Sequence, residues 1–280
     1  MNETSALHQE EALPSVIQMV LLKEPLLLGE GDLEKHLKGK FSGLSVSAGS
    51  NGDGAFIVEW GAMVFTIMVV NNPIPAETFS MALKTSYGLK SGEKLVAAHK
   101  AHLIISPLTP AHHPAEAASV SGNLMELTKA ITSLGSALGY FWSSSETLLD
   151  QPQFDKALSS VNLAMDMHAR QEPGGAKELP STYWVGIRLF SPDRKTLFGA
   201  VTKGFESFAG YELEVRPLKW PPKEVAQRIY GTIAYLFSVG PVLKDGQTLG
   251  VSDTEHFRIR EQAATQTLPR RLVLTLESSE

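Results

Sequence analysis

Cysteine is absent from the 280 residues. That one absence excludes disulfide scaffolds, thiolate zinc sites, cysteine nucleophiles and cysteine-ligated iron–sulfur clusters together. A basic excess is also missing: 25 Lys and Arg face 30 Asp and Glu, a formal charge of −5. Nucleic-acid binding through a cationic surface is therefore not expected. Long hydrophobic runs are missing too. The most apolar window, Gly61 to Val70, is about half the length that a membrane-spanning helix needs. Its Val, Ile, Phe and Thr content predicts a buried strand instead. The stretch Met1 to Glu11 is acidic and polar and has no basic n-region, so no secretory signal is expected there, and a cytoplasmic protein is.

Motifs of catalysis are scarce. There is no Gly-x-Ser-x-Gly elbow, and Ser143–Ser145 and Ser159–Ser160 read as helix-end serines that cap backbone amides. Gly49–Gly54 is glycine-rich but lacks the lysine and hydroxyl of a phosphate loop. It precedes a strand, so it reads as a hairpin turn. No cofactor and no catalytic residue is expected.

What is present is a globular composition, 43% apolar and 20% charged, with clear periodicities. Residues 1–14 read as a frayed leader ending at Pro14. Strands are expected at Ser15–Lys23, Leu44–Ala48, Ala55–Trp60, Met63–Val70 and His102–Ser106. A short helix is expected from Gly31 to Lys40 with Asp32 as its cap, and others at Ala76–Tyr87 and Gly92–Lys100. Val120, Leu124, Leu127, Ile131, Leu134 and Leu138 recur at intervals of three and four, predicting a long helix from Ala115 to Leu138. Its few charges mean that it is covered. Phe154–His168 repeats the pattern, and Gln171–Gly175 reads as a linker. Beyond it, strands are expected at Tyr183–Phe190, Leu197–Lys203 and Tyr211–Arg216. Pro221–Pro222 then opens a helix that stops at Gly240–Pro241, and three closing strands follow. Strands come in adjacent runs, which predicts an α+β fold. We expect two α+β modules, each a mainly antiparallel sheet packed on one or two long helices: residues 15–150, a helix and Pro/Gly linker at 151–180, and residues 181–280.

Thr202–Lys203–Gly204, Gly210–Tyr211–Glu212–Leu213–Glu214 and Val242–Leu243–Lys244–Asp245–Gly246–Gln247–Thr248–Leu249–Gly250 carry a resemblance to a family. The C-terminal module resembles the bacterial domain of unknown function numbered 4261. Asn72–Pro73–Ile74–Pro75 and His99–Lys100–Ala101–His102 are similar to segments that accompany it in longer members. The resemblance implies a bacterial protein and no particular activity.

Two residue sets stand out. Phe205–Arg216 is acidic and aromatic, and period-two alternation places Glu212 and Glu214 on one face of a strand with Tyr211, Leu213 and Val215 on the other. Such a pair suits a basic partner, a cation or acid–base work. It also suits the solvated face of a half-buried strand with Lys203 and Arg216 as ion-pair partners. Glu206, Tyr211, Glu212 and Glu214, with Asp245, are the expected partner-binding residues. His99 and His102, three apart, are the candidate metal ligands, although they span a helix end and a strand start. His112 and His113 lie in a loop. The aromatic run Tyr140–Trp142 and the pair Tyr183–Trp184 suit a core.

These features predict a noncatalytic intracellular binding protein. Its acidic face would dock on a basic protein, as in a toxin-neutralising (immunity) protein or a type VI or other secretion-system accessory. One alternative is a metal-dependent hydrolase using His99, His102 and Glu212 or Glu214. The other is a structural subunit of a larger assembly.

Overall fold

The structure is a computed structural model in which residues 12–49, 54–86, 88–252 and 255–277 are described. The leader up to residue 11, the glycine-rich turn at 50–53 and Tyr87 lie outside the described residues.

The fold is α+β, built on two sheets. In the N-terminal module seven strands form an antiparallel sheet in the order β2-β3-β4-β5-β1-β6-β7. They are β1 (Gln18–Leu22), β2 (Leu44–Ala48), β3 (Ala55–Trp60), β4 (Met63–Val70), β5 (Ala101–Pro107), β6 (Ala137–Trp142) and β7 (Thr147–Leu149). Side-chain alternation sets the layers. Val20, Leu103 and Tyr140 join the main core with the helices α1 (Glu30–Lys38), α4 (Pro114–Thr132) and α5 (Gln151–Ala169). Their neighbours Leu21 and Phe141 face the other way. With Phe79, Ala82 and Val96 they form a second cluster, under the short helices α2 (Ala82–Thr85) and α3 (Gly92–Ala98).

The C-terminal sheet has the order β11-β12-β13-β10-β9-β8 and is mixed, because β10 and β13 run parallel. Its strands are β8 (Gly186–Phe190), β9 (Phe198–Lys203), β10 (Glu212–Leu218), β11 (Thr248–Ser252), β12 (Glu255–Gln262) and β13 (Arg271–Leu276). The helical turns α6 (Gly175–Glu178), α7 (Ser181–Trp184) and α8 (Glu206–Ala209) precede the long helix α9 (Pro222–Val239). Val225, Ile229, Ile233 and Leu236 of α9 pack in one core with Leu213, Val215, Phe257 and Leu274 of the sheet.

The core does not stop between the modules. Tyr140 stacks on Phe154 at 3.8 Å, and Phe154 meets Tyr183 edge-on. Trp142 touches Tyr183 and Trp184, and Trp184 stacks on Phe208 at 5.4 Å. Phe237 of α9 then meets Trp184, Phe208 and Phe205. Polar tips are tied in: Gln18 Nε2 donates to the Tyr183 hydroxyl at 2.7 Å, Ser145 Oγ to the Tyr183 carbonyl at 2.7 Å, and Trp184 Nε1 to Met125 Sδ at 3.3 Å. Backbone also approaches backbone. A Cβ on Gly186 would sit 2.4 Å from the Ser145 carbonyl, so only glycine fits there.

Several local expectations change. The strand expected from Tyr183 starts at Gly186, because Ser181–Trp184 coils into a turn that drives Tyr183 and Trp184 into the shared core. The long helix ends at Thr132 and Leu138 lies in β6, since Gly135 follows and the chain must turn back to pair with β1. The helix expected from Ala76 is split into a 3-10 turn, Ala76–Phe79, and α2. Gly29, not Asp32, occupies the cap position of α1. The linker at 171–175 is a tight turn with Gln171 and Gly174 at positive φ. The α6 turn after it packs against both α5 and α9.

The shared aromatic core predicts joint unfolding. Urea melts of the wild type followed by far-UV circular dichroism and by tryptophan fluorescence should coincide. Trp184→Ala should lower stability by about 3–5 kcal/mol while keeping one transition, and two separate transitions in the wild type would refute a common core.

Candidate functional site

Helix α9 buries one stripe and leaves another uncovered. Arg228, Gly231, Thr232 and Tyr235 follow the three–four spacing along the flank beside the core stripe. Facing them are Val242 and Leu243 of the loop after α9 and Thr248, Leu249 and Gly250 of β11. Between helix and strand lies a groove of ≈ 730 Å³. Among the described residues β11 is the edge strand of the sheet, bonded to β12 alone through the pairs Thr248↔Arg258, Leu249↔Phe257 and Gly250↔His256. Tyr235 and Val242 keep 44% and 41% of their surface exposed, and Val239, one turn beyond Tyr235 on α9, is exposed as well.

The walls are stiff. Leu243 is buried and anchors the loop to the core. Gly246 takes positive φ, which lets its N–H donate to the Ile259 carbonyl at 3.0 Å, and the Ile259 N–H returns a bond to the Gln247 carbonyl at 2.9 Å. Asp245 Oδ1 accepts from the Glu261 N–H at 2.9 Å. On the helix side, Arg228 is held by Glu255 and lies 5.7 Å over the Trp220 ring. Its Nε and the second oxygen of Glu255 make no hydrogen bond, so the pair is one bond short of a full fork.

The residues expected to bind a partner lie elsewhere. Glu212 is 1% exposed and Glu214 is 7% exposed, so neither forms an acidic surface. The solvated-face reading of the strand fails for the same reason. Glu212 accepts from the Thr202 hydroxyl at 2.5 Å, the Gly204 N–H at 2.6 Å and the Phe205 N–H at 3.1 Å. It ties together the loop from β9 to α8. Burial pushes its carboxyl above the ordinary glutamate value, against the pull of these three donors. Glu214 bonds Arg271 at 2.7 Å, with Arg216 3.7 Å away. Tyr211 is buried under Arg270, and burial pushes its hydroxyl up to about 12. Glu206 is half-buried in α8. Asp245 is exposed, 3.7 Å from Arg260, in the turn before β11 and outside the groove lining.

The histidines are also committed. His99 Nε2 accepts from the Ile74 N–H at 2.8 Å, so the proton sits on Nδ1, which donates to the Val96 carbonyl. Neither ring nitrogen of His99 is left for a metal. His102 Nδ1 donates to the Asn72 carbonyl at 2.8 Å, and burial holds its pKa below the usual imidazole value. Among the described residues no group of three or more His, Asp or Glu side chains is placed to hold a metal ion. No helix is long and apolar enough to cross a membrane among them.

Comparison with known families covers only part of the chain. Residues 201–277 match the domain of unknown function DUF4261. No curated protein and no solved structure matches the chain. All ten residues lining the groove fall within the DUF4261 domain, and six come from the run Val242–Gly250. That run carries the likeness to the family and lines the groove as well. The missed signal was Tyr235 and Val239, apolar residues lying off the core stripe of α9.

Glu212 generates a pH test. Its raised folded-state pKa means the native protein binds the proton more tightly than the unfolded chain. Its contribution is fullest below the ordinary glutamate value and is lost as pH rises through the folded value. The stability difference between wild type and Glu212→Gln, from urea midpoints at several pH values, should therefore shift against the wild type across that window and flatten above it.

Proposed function

We propose that the chain is a noncatalytic protein-binding module, acting in the cytoplasm, that takes an extended segment of a partner polypeptide into the groove between α9 and β11. The observation that carries this reading is the pairing of an edge strand with a stiff-walled cleft alongside it. An edge strand offers unpaired backbone N–H and C=O groups, and a guest strand satisfies them by adding to the sheet. Its alternate side chains then point into the cleft, where Tyr235, Val242 and Leu249 supply apolar contact and the Gln247 amide supplies a hydrogen bond. Toxin neutralisation and a secretion-accessory role are finer forms of this reading. In either, the groove and not the buried Phe205–Arg216 segment would hold the partner.

The test is a panned random-peptide library. Enriched peptides should share apolar residues at alternate positions. Tyr235→Glu, at an exposed position, should weaken their binding at least tenfold, the scale of a lost aromatic anchor. Leu163→Glu, equally exposed on α5, should leave it unchanged. Amides of Thr248–Gly250 should gain protection from hydrogen exchange on binding. Peptides that bind Tyr235→Glu as tightly as wild type would reject the groove.

A further inference from the structure

The groove between α9 and β11 carries a single charge. Among the described residues that line it, only Arg228 is charged, although the whole chain has a formal charge of −5. Arg228 stands at one end of the groove. Its partner Glu255 opens β12 and pairs with Ser252, the last residue of β11. Tyr235 stands seven residues further along α9, ~10 Å away at the helical rise.

The guanidinium is committed on two sides. Nη2 donates to Glu255 at 2.5 Å, and its carbon lies 5.7 Å from the centre of the Trp220 ring. Nε is sealed inside the protein, where no ligand reaches it. Nη1 differs from both. It makes no hydrogen bond to a described residue and is not sealed, and the side chain keeps 30% of its surface exposed. A guanidinium has five N–H donors in one plane, so Glu255 on one edge leaves another edge for a second acceptor. No carboxylate among the lining residues fills it.

We propose that the partner segment taken into this groove carries an aspartate or glutamate side chain that accepts a hydrogen bond from Arg228 Nη1. This inference rests on the strand-addition reading above and adds the chemistry of the guest. Charge complementarity carries it. The groove's one formal charge is positive, and a cationic donor makes its strongest bonds to carboxylates. A basic segment would set its own cation against Arg228. The sign is therefore the reverse of the acidic docking face expected from the sequence. Geometry adds a register. Side chains of an added strand face the cleft at alternate positions, about 7 Å apart. The acid should then lie two or four positions from the residue that meets Tyr235.

The probes are the tightest peptide from the panned library and its copy with the acid changed to the matching amide. Both are blocked at their ends and titrated into the full chain. Enriched peptides should hold Asp or Glu at one fixed position in that register. The amide copy should bind wild type about three- to tenfold more weakly, between the worth of a surface ion pair and that of a buried charged hydrogen bond. Arg228→Gln combined with Glu255→Gln removes both charges, so neither is stranded. That double variant should bind acid and amide alike. If it fails to fold by circular dichroism, a salt series on wild type decides: affinity for the acidic peptide should fall with salt and that for the amide should hold. Peptides that need Tyr235 yet show no fixed acid, or lose nothing in the amide copy, would overturn the carboxylate and leave the groove standing. A preference for the acid that survives in the double variant would overturn it too. Peptides indifferent to Tyr235→Glu would reject the groove itself.

Discussion

Burial of Trp184 between the two sheets is the constraint on which the rest of the structure depends. The ring is fully buried, stacked on Phe208 and flanked by Trp142 and Phe237, so it belongs to both modules at once. Large aromatic side chains remove the most area from water per residue and hold preferred ring geometries. The run from Tyr140 to Phe205 therefore acts as a hydrophobic spine. Keeping it dry requires Ser181–Trp184 to coil into a turn and β8 to begin late. It also requires Gly186 to lie against the Ser145 carbonyl.

Once the spine is set, the positions of charge follow. The strand β10 runs in the middle of its sheet, between β13 and β9. Both of its faces are buried near Glu212 and Glu214, which must find partners inside the protein. Glu212 takes the amides at the start of α8, and Glu214 takes Arg271. Arg258 and Arg188 of the same sheet are matched elsewhere by Glu277 and Glu146, and Arg270 just before β13 by Glu261. Acidic residues that look like a docking face in the sequence thus serve as internal ties. The open surface is displaced to the sheet margin, where β11 has a neighbour on one side and α9 stands off from it.

Periodicity made much of the fold legible. Leu44–Ala48 alternates and lies half-buried, the apolar window ending at Val70 is β4, and Pro222 and Gly240 bound α9 where local chemistry places them. The match to DUF4261 at residues 201–277 agrees with the resemblance carried by Gly210–Glu214 and Val242–Gly250. The sites were poorly legible. Alternation in β10 separates two faces but does not say that both are covered. The spacing of His99 and His102 says nothing of the backbone groups that claim their ring nitrogens. Arg228 looks like any other helical arginine until Glu255 and the groove are placed beside it.

By itself, then, the sequence determined most of the strands and long helices, the α+β class, the ends of α9 and the absence of thiolate chemistry. Each depends on neighbours a few residues away or on composition. Tertiary structure decided which carboxylates are buried, which strand lies at the edge, and where cavities remain. Those properties depend on residues far apart in the chain, such as Gln18 with Tyr183 or Leu13 with Ala111. No local pattern encodes them, because burial is a property of the packed whole.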